Sequence, residues 1–150
     1  MIFFRFIWYV IAFLLAFVWG QSIASPLPQV HLTFHLAISD GKQAEVKASI
    51  INNTGSIVRR GYIVISAYDT QCNSTGDILQ TFGELPVGKN STVSIPLPTG
   101  SHGYHVTAIK TFDNFNFEIP SIDDTAAVLA ARMGEIKSRC EQVRASVKSS

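Results

Sequence analysis

Hydrophobic and polar residues alternate along most of the chain after residue 28. A period of two residues is typical of a β-strand that buries one face and exposes the other. The first alternating segment therefore predicts a strand from about residue 29 to residue 38 with one buried apolar face. The positions on that face are Val30, Leu32, Phe34, Leu36 and Ile38.

The alternation recurs in several shorter segments separated by turn residues. Asp40-Gly41 is a turn dipeptide, and Asn52-Asn53-Thr54-Gly55 is a cluster in which Asn and Gly tolerate positive φ. Six or seven short strands without helices between them predict a mainly β fold, an antiparallel β-sandwich over residues 29–118. Beyond the first, strands are predicted at residues 44–50, 57–69, 78–82, 91–97 and 104–110, with a polar loop at 70–77.

The spacing of the apolar residues changes after residue 120. Ser121 is a predicted helix cap, with Asp124 three residues later as its reciprocal partner. An amphipathic helix is therefore predicted over residues 121–148. Its apolar residues follow at spacings of four and three, a heptad pattern. They are Ile122, Ala126, Leu129, Met133, Ile136, Cys140, Val143 and Val147.

Two arrangements of this helix satisfy the heptad pattern. In the first, the helix lies on an open face of the sandwich and its apolar residues join the core. In the second, it pairs with a partner helix or with a second copy of the chain, which would give a homodimer with Cys140 at the interface. The seam of that second arrangement is formed by Ile122, Leu129, Met133, Ile136 and Val143.

The first 24 residues form a separate segment. Residues 6–19 are an unbroken apolar run, Arg5 precedes them, and Ser22-Ile23-Ala24 supplies small residues for a signal peptidase. This pattern predicts a secretory signal peptide cleaved after Ala24. The alternative is an uncleaved membrane anchor over residues 2–20, nearly the length that a bilayer core needs. In both cases the body of the chain is exported: secreted or periplasmic, or anchored on the non-cytoplasmic side.

The formal net charge of +1 is spread along the chain without a block of Lys or Arg. Such a chain lacks the basic patch of a nucleic-acid-binding protein and the polybasic segment that binds anionic lipids. We therefore expect no nucleic-acid partner, and membrane contact only if the N-terminal segment is uncleaved.

The two cysteines, Cys72 and Cys140, suit the oxidising compartment that export implies. They predict one disulfide, either within a chain or between chains. Two cysteines are too few for a metal site made of cysteine alone, and their spacing excludes a Cys-x-x-Cys redox pair.

The four histidines raise the alternative of a metal carrier. His31 and His35 are predicted on the same strand face, and His102 and His105 lie three residues apart. Imidazole suits copper and zinc. No carboxylate or cysteine joins these histidines at ligand spacing, so the pattern favours lone histidines on polar strand faces and no metal or other cofactor.

Three Asn-x-Ser/Thr motifs begin at Asn52, Asn73 and Asn90. All three lie in predicted loops or at predicted strand starts. In a secreted eukaryotic protein each would be a candidate N-glycosylation site, whereas in a bacterial protein they would be ordinary turn residues.

No pattern in the chain predicts an enzyme. Ser101-His102 and Asp113 supply the residue types of a catalytic triad, but there is no nucleophile elbow of the Gly-x-Ser-x-Gly type. We therefore expect a protein without catalytic residues.

An aromatic-polar stretch separates the last clear strand from the predicted helix. Its aromatic residues are Phe112, Phe115 and Phe117. They are predicted to close the bottom of the core, and the alternative is an exposed contact patch for a partner or a glycan.

Three segments carry a resemblance to a known kind of domain. They are residues 50–55 (Ile-Ile-Asn-Asn-Thr-Gly), 64–69 (Val-Ile-Ser-Ala-Tyr-Asp) and 85–93, which begins Leu-Pro-Val-Gly-Lys. In order and spacing they resemble the small extracytoplasmic Ig-like modules of the FxLYD and CARDB type, over about residues 30–111. The resemblance implies an Ig-like β-sandwich that serves as a binding or accessory module, and it supplies no catalytic residues.

These features together predict a non-enzymatic, exported interaction or accessory protein. It would bind another protein through a sheet edge or through its C-terminal helix. Two alternatives stay open. One is a membrane-anchored assembly subunit that keeps its N-terminal segment, and the other is a small metal-binding carrier that uses the four histidines.

Overall fold

A computed structural model of the protein describes residues 27–41 and 43–148. The predicted signal peptide or anchor lies outside these residues. The described part is mainly β, with two four-stranded sheets followed by one C-terminal helix. The elements are β1 Val30–Ser39, β2 Ala44–Asn52, β3 Arg60–Tyr68, β4 Ser74–Phe82, β5 Asn90–Pro96, β6 Gly103–Phe112, β7 Glu118–Ile119, β8 Ser121–Asp123 and α1 Ala126–Lys148.

The two sheets enclose one hydrophobic core in a sandwich-like arrangement. The first sheet has the strand order β5-β2-β1-β8 and the second has the order β4-β3-β6-β7. All neighbouring strands are antiparallel except β1 and β8, which are parallel. Each fully buried aliphatic side chain contributes about 1.5–3 kcal/mol. The largest of them are Leu32, Ile50, Ile63, Ile65, Leu85 and Ile95.

A buried amide fixes the loop between β2 and β3. The Asn52 side chain is fully buried. Its Nδ2 donates to the carbonyl oxygens of Ser56 and Leu85, both at 2.9 Å. Its Oδ1 accepts from the backbone N–H and the hydroxyl of Thr54, at 3.0 and 2.7 Å. The side chain therefore joins its own loop to the segment that precedes β5.

The predicted bounds of two strands were wrong. The third strand runs from Arg60 rather than from about residue 57, and Val58 instead forms an isolated bridge with Leu85. The fourth begins at Ser74, so the predicted polar loop over residues 70–77 is too long. The loop is short because Asp69 closes a tight turn: its Oδ1 accepts from the N–H groups of Gln71 and Asn73, both at 2.8 Å. The polar residues that follow belong to an edge strand, whose outer positions tolerate them.

The start of the helix and the end of the sheets also differ from the prediction. Ser121 lies in β8, and its hydroxyl donates to the Ile109 carbonyl at 3.0 Å, so it does not cap a helix. The helix begins at Ala126, after Thr125 has accepted the first helical hydrogen bond from Leu129 at 3.0 Å. The sheets therefore extend to Asp123 rather than to residue 118, and Ile122 is exposed on a strand instead of lying in a helical seam.

One face of the helix is turned toward the sandwich. Its half-buried side chains are Leu129, Ile136, Cys140 and Val143, which share that face, whereas Ala126 is exposed. Cys140 forms a disulfide with Cys72 in the loop between β3 and β4, with the two Cα atoms 5.6 Å apart. This is the arrangement in which the disulfide forms within the chain. The side chains of Met133 and Val147 lie outside the described part. Among the described residues no helix is long and apolar enough to span a bilayer.

Candidate interaction surface

A one-residue bulge interrupts β1. Leu32 pairs with Ile50 and Phe34 pairs with Ser49, so Thr33 is an extra residue without an opposite partner on β2. Because side chains alternate between the two faces of a strand, one extra residue turns every later side chain to the opposite face. The Thr33 hydroxyl donates to the Ser49 carbonyl at 3.2 Å and helps to hold the bulge.

The bulge divides the apolar residues of β1 between the two faces of the sheet. Val30 and Leu32 precede it and are fully buried in the core. The residues after it point outward and are 54%, 52% and 48% exposed. The prediction that all five share one buried face was therefore wrong. The three exposed residues, here called the outer stripe, are Phe34, Leu36 and Ile38.

The same part of β1 has an open edge. β8 pairs only with residues 30–32 of β1. From Phe34 to Ser39, β1 has no strand beside it on the side opposite β2 within the part of the chain that the structure describes. The outer stripe and this open edge therefore occupy the same six residues.

The backbone groups that face the open edge follow from the hydrogen-bond pattern. The Asn52 N–H donates to the Lys89 carbonyl on the β5 side, so alternate residues of β2, among them Ser49, direct their backbone groups toward β1. Phe34 lies opposite Ser49 and therefore directs its own groups toward β2. The groups that remain for the open edge belong to His35, Ala37 and Ser39.

A polar rim borders the outer stripe on β2 and β5. Lys47 lies opposite Leu36 and forms an ion pair with Glu45 at 2.7 Å. Glu45 also accepts a hydrogen bond from the Ser94 hydroxyl. The hydrogen bond from Lys47, followed by that from Ser94, lowers the pKa of Glu45 below its ordinary value. An apolar strip beside a charged and hydrogen-bonded rim has the anatomy of a protein–protein contact.

The bulge turns His35 into the interior, where it joins three elements. Its Nδ1 lies 2.7 Å from the Tyr104 hydroxyl on β6, and its Nε2 lies 2.7 Å from the Thr125 hydroxyl oxygen. Thr125 gives its single hydroxyl proton to Asp123 at 2.6 Å. Thr125 must therefore accept from the His35 Nε2–H, and Nδ1 accepts the proton of Tyr104. This network ties β1 and β6 to the start of the helix.

Burial shifts the pKa of both rings in this network. Desolvation lowers the pKa of His35 below its ordinary value of 6.5, and the negative charge of Asp123 partly offsets this decrease. Desolvation also raises the pKa of Tyr104 to about 12, and Asp123 and Tyr68 add to the rise. Both shifts favour the neutral forms, which are the forms that the hydrogen bonds require.

The stability of the protein is therefore expected to fall as the pH is lowered from 7 to 5. His35 has a lower pKa in the folded than in the unfolded chain, so the unfolded chain binds more protons as the pH falls below about 6.5. Urea unfolding at several pH values measures the effect. His35→Gln should remove the part of this pH dependence that is due to His35, and His102→Gln, at an exposed loop position, is the matched histidine control. An unchanged slope in His35→Gln would contradict the assignment.

The structure does not bring the four histidines together. His31 lies on the outer face, 3.0 Å from Asp124, whereas His35 points inward, so the prediction that they share a face was wrong. The bulge at Thr33 is the reason. His102 is exposed in the loop before β6, and His105 lies on β6 opposite Ser66. Among the described residues no group of three or more His, Cys, Asp or Glu side chains is placed to hold a metal ion.

The three glycosylation motifs have different environments. Asn52 is fully buried and its amide nitrogen donates two hydrogen bonds, so the fold leaves no room for a glycan there. The prediction of a glycosylation site at Asn52 was therefore wrong. Asn73, just before β4, and Asn90, at the start of β5, are exposed. These two remain the candidates if the protein is made in a eukaryotic secretory pathway.

The aromatic stretch after β6 is a surface feature. Phe115 and Phe117 are 81% and 69% exposed. They lie on a turn in which Asp113 Oδ1 accepts from both of their N–H groups, at 2.8 and 2.9 Å. The prediction that they close the core was therefore wrong, because both side chains lie on the surface. Asp113 is also separated from Ser101-His102 by the whole of β6, roughly 30 Å, so these residues form no triad.

Comparison of the chain with families of known proteins, with curated proteins and with solved structures found no match.

Proposed function

We propose that this protein is a non-enzymatic, exported interaction module that binds an extended segment of another protein along the open edge of β1. The observation that carries the proposal is a coincidence over residues 34–39: the bulge at Thr33 exposes an apolar row, and no strand in the described part of the chain pairs with the edge of the same residues. An added strand could use both at once, with its backbone on the edge and alternate side chains beside the outer stripe.

The composition of the edge supports this proposal. Edge strands are ordinarily protected from pairing by charged residues, by proline or by a covering element. The open part of β1, residues 34–39, reads Phe-His-Leu-Ala-Ile-Ser and contains neither proline nor Lys, Arg, Asp or Glu. His35 points inward and is held by Tyr104 and Thr125. Within the part of the chain that the structure describes, the edge therefore lacks the protection expected of a surface that stays unpaired.

The partner segment that fits is extended and has apolar residues at alternate positions. On the outer face these would continue the row formed by Phe34, Leu36 and Ile38, and bury its exposed area. The polar rim at Glu45 and Lys47 lies on the far side of that row and does not obstruct the edge.

Three features support export and an Ig-like fold within the proposal. The disulfide between Cys72 and Cys140 is typical of an oxidising compartment. The N-terminal run has the pattern of a signal peptide or anchor. The two sheets, with orders β5-β2-β1-β8 and β4-β3-β6-β7, agree with the Ig-like arrangement that the resemblance implies. The metal-carrier alternative is not proposed, because its histidines lie apart.

Site-specific cross-linking followed by a binding measurement tests the proposal. A photo-reactive residue at Ser39, on the open edge, should form a defined adduct in the cells that make the protein, and a control at Phe115 should not. The cross-linked segment is then synthesised and its affinity for purified variants is measured by calorimetry. An adduct at Phe115 with none at Ser39 would contradict the proposal.

Two pairs of variants separate edge pairing from a general apolar contact. Ala37→Pro removes an edge N–H and should weaken binding at least tenfold, whereas Ala37→Ser keeps that N–H and should change binding less than twofold. Leu36→Asp should also abolish binding, and Leu79→Asp, at a position 57% exposed on β4, is its control. Equal affinity of Ala37→Pro and the unaltered protein would refute strand addition.

A further inference from the structure

A cavity of about 400 Å³ lies between the helix and the second sheet. Its floor comes from the face of that sheet opposite the core: Ser66 lies between the buried residues Ile65 and Ala67 and therefore points away from them. Asp77 and His105 flank Ser66 in register on β4 and β6. This volume lies within the range of small-molecule sites in proteins, about 300–1,000 Å³.

The helix forms the roof of the cavity. Leu129, Ile136, Cys140 and Arg144 line it, and spacings of seven, four and four place them on one helical face. The helix is attached near both ends of this stretch, by Thr125 to His35 and by the disulfide of Cys140. The two attachments hold the helix across a floor that includes the small and polar residues Ser66, Ser74 and Asp77.

The polar groups of the lining differ in whether they are already paired. Asp77 accepts a hydrogen bond from the Ser66 hydroxyl. Neither His105 nor Arg144 has a side-chain hydrogen bond or ion pair within the described part of the chain. A guanidinium has only donors, and an imidazole carries at least one N–H. His105 and Arg144 therefore have donor capacity to spare, which suits an acceptor such as a carboxylate, while the Asp77 carboxylate keeps acceptor capacity of its own.

We infer that this cavity binds a small amphipathic monoanion. Its apolar body would lie between Leu129 and Ile136 of the helix and the Tyr68 ring of the sheet, and its anionic group would meet Arg144 and His105. This site is separate from the open edge of β1, and its occupancy does not depend on the proposed protein partner.

Binding of 1-anilinonaphthalene-8-sulfonate to the oxidised protein tests this inference. The dye is an aromatic monoanion, and its emission rises in apolar sites. We expect saturable binding of one equivalent, with displacement by decanoate. Ile136→Trp fills the cavity and should weaken binding at least tenfold. Arg144→Gln leaves the packing intact and should weaken it about fivefold.

Two controls locate the bound dye. Val128→Trp adds the same ring at a helix position that is 59% exposed and outside the cavity, and should leave the affinity unchanged. Leu36→Ser, in the outer stripe, should also leave it unchanged. Unsaturable binding, full affinity in both Ile136→Trp and Arg144→Gln, or loss of binding in Leu36→Ser would overturn the inference.

Discussion

Replacing Asn52 by alanine is expected to lower the free energy of unfolding by about 3 kcal/mol. The side chain makes four hydrogen bonds inside the domain, to Ser56, Leu85 and Thr54. After the substitution the single Thr54 hydroxyl proton is free to bond the Ser56 carbonyl, and the Leu85 carbonyl still accepts from the Val58 N–H. The Thr54 N–H, however, loses its partner in a buried position, and a small cavity remains.

Urea unfolding of Asn52→Ala measures this loss. The matched control is Asn90→Ala, which removes the same amide from an exposed position at the start of β5 and should cost less than about 0.5 kcal/mol. A loss below about 1 kcal/mol in Asn52→Ala would show that the amide does not hold the β2–β3 loop as described.

Removing the disulfide is expected to have the largest effect on stability. The bond joins residues 68 positions apart, and closing a loop of that length stabilises a protein by about 4 kcal/mol on the loop-entropy model. The double variant Cys72→Ala, Cys140→Ala should lose about this amount. It avoids the unpaired thiol that a single replacement would leave.

Denaturant unfolding with and without a reducing agent completes the test. Reduction should destabilise the unaltered protein by the same amount and should leave the double variant unchanged. An unaltered protein whose unfolding midpoint does not move on reduction would contradict an intrachain bond between Cys72 and Cys140.

Much of the fold follows from local patterns in the sequence. Strands β2 and β3 have apolar residues at every second position because one face of each lies on the core, and this alternation is visible without knowledge of the partner strands. The helix was predicted for the same reason, since Leu129, Ile136, Cys140 and Val143 follow its period. Its first residue was misplaced because Ser121 suits a cap, whereas pairing with β1 holds that segment as strand β8.

The bulge could not be predicted from alternation alone. An uninterrupted pattern from Val30 to Ile38 is the pattern of a regular strand with one buried face, and Thr33 has no local feature of a bulge. The only indication of a bulge in the sequence lies at the residues that alternate with Phe34, Leu36 and Ile38. These are His35, Ala37 and Ser39, which are small or polar enough to face the open end of the core. The partners of His35, Tyr104 and Thr125, are 69 and 90 residues away in the chain, so only the tertiary structure reveals why it points inward.

The candidate sites also differ in whether the sequence alone could identify them. Cys72 and Cys140 were recognisable as a pair because the chain has no other cysteine. Burial of Asn52 was not recognisable, since its motif is that of an exposed turn and its hydrogen-bond partner Leu85 comes from a distant segment. The cavity under the helix depends on two attachments that are far apart in sequence, and no local pattern encodes it.

Site-resolved amide hydrogen exchange of β1, in the free protein and with the cross-linked partner segment bound, is the sharpest test of strand addition to β1. In the free protein the amides of Phe34, Leu36 and Ile38 should exchange slowly, because they pair with β2. Those of Ala37 and Ser39 should exchange rapidly. On binding, the Ala37 and Ser39 amides should become strongly protected. If they exchange as rapidly in the complex as in the free protein, the partner does not add a strand to β1.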